Sequence, residues 1–295
     1  MHSLTSLFEK QNQLKIEWNI GKRCNLDCSY CPPSIHDNFS KHTDKTKLIQ
    51  TIDILSNFKK PINLSLTGGE PSVHPNISET LHYARQKIYR ISVTTNGLRT
   101  AEWYANQPVD FYVFSLHFDN DLWKKALKNI LKFAKISNIQ FMINVMAHHD
   151  YMDYVKTAVN SFDRDNIQYV IRRIRWTEGN HDKFDDNFYL KKDLEWILSK
   201  ESTMHPNCID DLNNEYHAND IIKNKLNNFK GWRCNIGLES LMINWDGEVH
   251  RATCRVGGSL GNIYKGDFQV PREPIICTRN WCTCAADIPI TKTKV

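Results

Sequence analysis

Through roughly the first 180 residues, short apolar runs alternate with longer stretches whose apolar positions recur at helical spacing, the pattern of strand, helix, strand units and a parallel sheet. The short runs fall at Lys15–Asn19, Ile62–Leu66, Arg90–Thr94, Phe111–Leu116, Gln140–Met146 and Gln168–Arg172. Between them, helices are predicted over Lys45–Asn57, Ile77–Lys87, Leu122–Lys135 and Tyr151–Ser161. In the third of these, Leu122, Ala126, Leu127, Ile130, Leu131 and Ala134 repeat at helical spacing. The fold class is therefore α/β, and six units would build most of a barrel without closing eight strands, a partial (β/α)6 TIM-like barrel. In parallel barrels the reacting groups sit after the C-terminal ends of strands, so the residues that follow each run are the first candidates for chemistry. Beyond the sixth run, Thr177–Asn187 is polar and reads as a linker, and Leu190–Leu198 and Ala218–Phe229 read as helices. From Gly231 the pattern changes to a hairpin, Leu238–Trp245, the turn Asp246-Gly247, and Glu248–Arg251, with cysteines on both sides. The expected organisation is a barrel over residues 1–180, a helical linker over 181–230 and a small hairpin unit over 231–295.

A chain of 295 residues with 41% hydrophobic content can bury a sizeable core. Its formal charge of +5, from 38 Lys and Arg against 33 Asp and Glu, is spread along the sequence and does not by itself indicate nucleic acid. The first ten residues lack the apolar region of a signal peptide, and no run approaches the ~18 apolar residues of a membrane span. A cytoplasmic protein is expected, without a membrane partner. Nine cysteines, an odd number, then argue for metal rather than a disulfide framework.

Their placement sharpens this. Cys24, Cys28 and Cys31 lie in Gly21-Lys22-Arg23-Cys24-Asn25-Leu26-Asp27-Cys28-Ser29-Tyr30-Cys31-Pro32, directly after the first strand. Three thiolates at this spacing can hold three irons of a four-iron cluster and leave the fourth open. Here the sequence resembles the radical S-adenosylmethionine (SAM) superfamily, whose C-x3-C-x2-C loop carries an aromatic residue before the last cysteine, as Tyr30 does. After the second strand stands Gly68-Gly69-Glu70-Pro71, similar to the family's Gly-Gly-Glu-Pro segment, which binds the methionine amino group. Two glycines let backbone come close to a ligand, and a carboxylate suits an ammonium. Thr94-Thr95-Asn96-Gly97 after the third strand and Ser115-Leu116-His117 after the fourth resemble further cofactor segments. The resemblance implies cofactor-binding roles for Tyr30, Gly68, Gly69, Glu70, Pro71, Asn96, Ser115, His117, Asn144 and Arg172, with Arg173 and Arg175 as alternatives for the SAM carboxylate. Ordinary strand-end hydrogen bonding competes at Ser115, His117 and Asn144. A zinc knuckle or a four-cysteine ferredoxin site is the competing reading of the triplet, and it leaves Gly68–Pro71 unexplained.

Cys234, Cys254, Cys277, Cys282 and Cys284 form a second constellation around the hairpin. It looks like the auxiliary-cluster extension known as the twitch domain, related to the longer SPASM domain. Five candidates compete for four places, and structural zinc is the alternative occupant. Cys208 lies outside both groups and reads as a small buried residue. The resemblance implies SAM, a site-differentiated 4Fe-4S cluster held by Cys24, Cys28 and Cys31, and an auxiliary 4Fe-4S cluster. It further implies reductive cleavage of SAM to a 5'-deoxyadenosyl radical that abstracts a substrate hydrogen, with an external electron donor such as flavodoxin or ferredoxin. The expected substrate is a peptide or a small polyhydroxylated molecule. No peptide-recognition domain is expected before Lys15, so a peptide would be gripped by the barrel and the extension. The alternatives are a metal-stabilised binding module without SAM turnover and radical modification of a nucleotide or nucleic acid through Arg172–Arg175 and Trp176.

Overall fold

The computed structural model describes residues 1–7, 12–174, 188–200 and 205–295. A short strand, β1 (Ser3–Ser6), precedes β2 (Leu14–Asn19), β3 (Ile62–Thr67), β4 (Arg90–Thr95), β5 (Phe111–Leu116), β6 (Gln140–Ala147) and β7 (Tyr169–Arg173). Helices α1 (Lys45–Ser56), α2 (Ile77–Arg85), α3 (Ala101–Ala105), α4 (Trp123–Ile136) and α5 (Met152–Arg164) connect β2 through β7. Then come α6 (Lys191–Ser199), β8 (Cys208–Asp210), β9 (Glu215–Tyr216), α7 (Ala218–Lys223), β10 (Arg233–Cys234), β11 (Ser240–Ile243), β12 (Glu248–His250), β13 (Ser259–Asn262), β14 (Ile275–Ile276) and β15 (Lys292–Thr293).

Strands β2 to β7 pair in parallel and in sequence order, so the six predicted runs form a partial barrel. Their alternation explains both faces. Ile16, Trp18, Leu64, Leu66, Phe114 and Val145 are buried against the helices, whereas the intervening Glu17, Ser65, Thr94, Ser115, Asn144 and Arg172 line the lumen. Helix starts follow local chemistry: Asp44 accepts from Thr46 N at 2.7 Å at the N-terminus of α1, and Thr100 Oγ1 accepts from Trp103 N at 3.2 Å at that of α3.

The hairpin strands join this sheet. β11 pairs in parallel with β2, Leu241 opposite Ile16, and β12 and β13 continue it antiparallel. A second sheet, ordered β14-β10-β15-β1-β8-β9 among the described residues, seats the N-terminal strand between β15 and β8. Leu4 faces Lys292 on one side and Asp210 on the other.

The helix expected over Ala218–Phe229 is shorter, ending at Lys223. Lys225 takes φ +57°, and Lys225 N and Leu226 N donate back to Ile222 O and Ile221 O at 3.2 and 2.9 Å, closing the helix end. The chain then turns so that Asn227 meets Cys282 and Phe229 is buried. The predicted linker Thr177–Asn187, together with Arg175 and Trp176, lies outside the described residues. No described helix is long and apolar enough to cross a membrane.

Candidate active site

The loop with the first three cysteines is pinned at both ends. Cys24 N donates to Asp37 O at 2.7 Å and Asp37 N to Lys22 O at 3.0 Å, while Cys31 N donates to Cys28 O at 3.0 Å to close the turn between the last two thiols. The Asp37 carboxylate accepts from Ser40 Oγ at 2.6 Å and Ser40 N at 2.8 Å, and meets Lys22 Nζ at 3.1 Å. Against the cost of burial, these contacts hold it far below the usual carboxylate range. Burial pushes the thiols the other way, Cys24 up to about 11, Cys31 up to about 12 and Cys28 higher still. Such thiols bind a metal only as thiolates, so metal binding there would release their protons.

Gly68 and Gly69 seat this loop on the end of β3. Gly69 N donates to Gly21 O at 2.8 Å and Glu70 N to Arg23 O at 2.9 Å. A Cβ on Gly69 would stand 2.1 Å from Lys22 O and 2.4 Å from Arg23 O, and Gly68 adopts φ +137° with Gly21 O at 2.5 Å from its ideal Cβ. Glu70 is 4% exposed. Its carboxylate accepts from Ser72 N at 2.8 Å, Thr95 Oγ1 at 2.7 Å and Asn96 N at 2.6 Å. Burial outweighs these bonds and raises its pKa. Pro71 opens the turn that Glu70 caps, and Asn96 Nδ2 reaches back to Asn25 Oδ1 at 2.8 Å. The Gly68–Pro71 segment and Asn96 thus stand behind the cysteine loop, and none of them lines the cavity in front of it.

That cavity, of about 1610 Å³, runs from the cysteine loop into the polar lumen. At its upper wall the Tyr30 hydroxyl lies 2.5 Å from His117 Nδ1, and the two rings stack at 5.9 Å. Burial lowers His117 to about 4, so the imidazole is neutral near pH 7. Asp119, just beyond, accepts from Ser29 N at 2.8 Å and ties the end of β5 to the Cys28–Cys31 turn. Ser115, Asn144 and Arg172 face the same space. Arg172 Nε donates to Asn144 Oδ1 at 3.1 Å, and its Nη1 meets Asn219 Oδ1. Arg173 also lines the cavity.

Glu17 was not foreseen. Its carboxylate projects into the cavity and accepts no hydrogen bond from a described residue. Burial, with the Asp287 carboxylate beside it, raises it to about 6, against the pull of Lys15. Charges at alternate positions in Leu14-Lys15-Ile16-Glu17-Trp18 are the available signal, since strands buried on both faces otherwise read as continuous apolar runs. His217 and Asn219, which also line the cavity, carry no comparable sequence signal.

The late cysteines converge from separate segments. Cys234 sits on β10 opposite Ile275 and Lys292. Gly231 N donates to Cys277 O and Cys277 N to Trp232 O, both at 2.8 Å, which sets Cys277 alongside. Cys254 N donates to Asp287 Oδ2 at 3.2 Å, and Asn227 holds Cys282 through bonds of 2.8 and 3.0 Å. Cys254 is near enough to Cys234 and Cys277 to feel their charge, and Cys282 feels Cys284 and Cys254. Burial is the main cause that raises all four of Cys234, Cys254, Cys282 and Cys284. Cys284 differs from the rest: besides the shared Asp287 it has Glu17 and Lys15 as charged neighbours, and it alone of the five lines the cavity. Cys208 is fully buried and donates to Tyr216 O at 3.3 Å, a packed thiol outside both sets.

Soft donors brought together in two places fit clusters. Among the described residues, the trio of metal-binding atoms within 4.8 Å of one another belongs to His148, His149 and Asp150, not to either cysteine set.

Residues 18–145 match the radical SAM superfamily. A 273-residue stretch is 22% identical to the antilisterial bacteriocin subtilosin biosynthesis protein AlbA of Bacillus subtilis, covering 87% of this chain and 58% of that protein. Over 91 residues the chain is 34% identical to Fe-coproporphyrin III synthase of Methanosarcina barkeri, covering 30% of this chain and 23% of that one. The chain therefore spans less than two thirds of either curated relative. The solved structure of native anSMEcpe with bound AdoMet and Cp18Cys peptide superposes with a TM-score of 0.57 at 17% identity, covering 86% of this chain and 79% of that one, and so shares the fold.

Proposed function

We propose that the chain, whose residues 18–145 match the radical SAM superfamily, is an enzyme of that superfamily that cleaves SAM reductively and oxidises a peptide held in the barrel cavity, with a second cluster as electron acceptor. The observation that carries this reading is the position of the cavity. One wall is the Cys28–Cys31 turn and the other includes Cys284 and the segment that leads from it to Pro289. A substrate placed between them would stand next to the first cysteine set and to Cys284 of the late group.

When bound, SAM and its cluster supply a one-electron cleavage that yields a hydrogen-abstracting radical. The chain's own residues would do the rest. Cys24, Cys28 and Cys31 would hold three irons of the first cluster, and Cys234, Cys254, Cys277 and Cys282 the four of the second, leaving Cys284 at the cavity wall. Arg172, oriented by Asn144 and Asn219, presents a guanidinium suited to a carboxylate. Neutral His117 holds the Tyr30 hydroxyl in place. Glu17, an acceptor without a partner among the described residues, is suited to take the proton that an oxidised substrate must lose. A peptide is favoured by the size of the cavity and by the alignment with the bacteriocin biosynthesis protein over most of this chain. The hydroxyl and amide groups of Asn63, Ser65, Ser92 and Thr94 in the lumen favour a second reading, a small polyhydroxylated substrate.

Anaerobic reconstitution tests the proposal. Roughly eight irons per chain and release of 5'-deoxyadenosine under reductant are expected. Peptides encoded beside the gene should lose two hydrogens by mass, whereas turnover of polyols alone would select the second reading. Zinc at both sites without SAM cleavage would leave a metal-stabilised binding module.

A further inference from the structure

Lys292 is 2% exposed, an unusual place for an ammonium. Its Nζ donates to the carbonyl oxygens of Asp287, Ile288 and Ile290 at 2.7, 2.9 and 2.8 Å, which uses all three protons. It lies 5.3 Å from the centre of the Phe229 ring. These bonds satisfy the donors without offsetting the charge, because carbonyls are neutral. The neighbouring Asp287 carboxylate accepts from Cys254 N and acts on the ammonium through charge alone, a partial offset without a bond. A buried cation without a bonded anion is costly unless other negative charge stands near it.

The register shows where that charge would be. Lys292 on β15 is directly opposite Cys234 on β10, and opposed residues of an antiparallel pair share a face with Cβ atoms about 5 Å apart. The ammonium also acts electrostatically on Cys282, so it reaches two of the four thiols assigned to the second cluster. The remaining charged groups around these cysteines are Asp287, Arg279, whose guanidinium donates to Cys254 O at 3.1 Å, and, next to Cys284, Glu17 and Lys15.

We propose that Lys292 is the positioning and potential-setting residue of the late-cysteine site, its ammonium compensating thiolate charge and raising the reduction potential of a cluster bound there. The proposal rests on the auxiliary-cluster reading given above. Cluster potentials follow net charge, hydrogen bonds to sulfur and exposure to solvent. Reduction adds one negative charge, which a fixed neighbouring cation stabilises. The consequence is a site biased to accept an electron from the cavity.

The test is an EPR-monitored redox titration of the reconstituted holoprotein and its Lys292→Met and Lys292→Arg variants, with iron counted in each. In Lys292→Met the reduced fraction of the late cluster at fixed potential should fall about tenfold, a shift of ~59 mV to lower potential for one electron. The first cluster should not move, and Lys292→Arg should restore most of the loss. Opening the site to water would raise the potential, so the sign separates loss of charge from loose packing. An unchanged or higher potential in Lys292→Met overturns the proposal. If that variant loses the late irons, Lys292→Gln, which keeps a donor for the carbonyls, is titrated by the same criterion. Loss of iron in both neutral variants assigns Lys292 a structural role and also overturns it. A wild-type chain that takes up only about four irons refutes the auxiliary cluster itself, whatever the variants do.

Discussion

The two cysteine sets are built in opposite ways. Cys24, Cys28 and Cys31 occupy one loop, and their geometry comes from bonds to that loop and to the adjoining ends of β3, β4 and β5. The late set is assembled from β10, the end of β12, and the stretch from Cys277 to Cys284, with the N-terminal strand β1 closing the same sheet through β15. A local loop can keep its ligands together while distant parts of the chain loosen. An assembled site depends on every strand that contributes to it, so the two sets should fail independently.

The largest expected effect divides them directly. Cys28→Ala should abolish SAM cleavage and remove about four irons, leaving the late cluster's EPR signal in place. Cys254→Ala should spare SAM cleavage to 5'-deoxyadenosine but stop complete turnover. Equal activity of both variants and wild type would refute the assignment of both sites.

Gly69→Ala probes the local set by strain rather than by removing a ligand. The added Cβ would meet two backbone carbonyls of the cysteine loop well inside contact distance, and backbone cannot swing aside as a side chain does. A loss of about 3 kcal/mol, or displacement of the loop with loss of the first cluster, is expected, read by thermal unfolding and iron content. Retention of full SAM cleavage at wild-type stability would show that the close approach is not real. Leu4→Ala probes the assembled set. Leu4 is fully buried against Cys208, Cys282 and Ile288, so truncation should cost about 3 kcal/mol and lower iron occupancy at the late cysteines while SAM cleavage persists. Loss of both clusters together would mean that the two regions do not fail separately.

The same contrast explains what could be read from the sequence. Each barrel strand announces itself by alternation, and the six predicted runs match β2 to β7 to within about two residues at their ends, inside the usual uncertainty of element boundaries. The Cys24 to Cys31 triplet is legible because its spacing is local. The two-residue strands β10, β14 and β15 have no period to detect, and their pairing partners lie tens to hundreds of residues away. Lys292 is the sharpest case: in Thr291-Lys292-Thr293 it reads as a surface residue, and only the register opposite Cys234 and Leu4 buries it. Glu70 teaches the converse. Its segment was legible as a motif, but the sequence could not show that its carboxylate turns inward to Ser72, Thr95 and Asn96.

The smallest expected effect concerns acid. His117 contacts the first cysteine loop through Tyr30, whereas no described histidine is among the charged neighbours of Cys254 or Cys282. Burial holds the folded His117 at about 4, below the ordinary histidine value of about 6.5. A group depressed on folding contributes stability that is complete above its unfolded pKa and is lost as pH falls through the interval down to the folded value. Between pH 7.5 and 5.5 the unfolded chain binds the extra proton, and wild type should lose about 1 kcal/mol from this residue. His117→Gln keeps an acceptor for the Tyr30 hydroxyl but cannot titrate, so the difference in melting temperature between the two pH values should be smaller in the variant by a few degrees. If the variant is as acid-sensitive as wild type over this range, His117 is not the group through which acid loosens the first loop, and neither is Asp37. That carboxylate is depressed far below its ordinary range, so its contribution should survive to lower pH and be lost only in stronger acid, well below the window in which His117 acts.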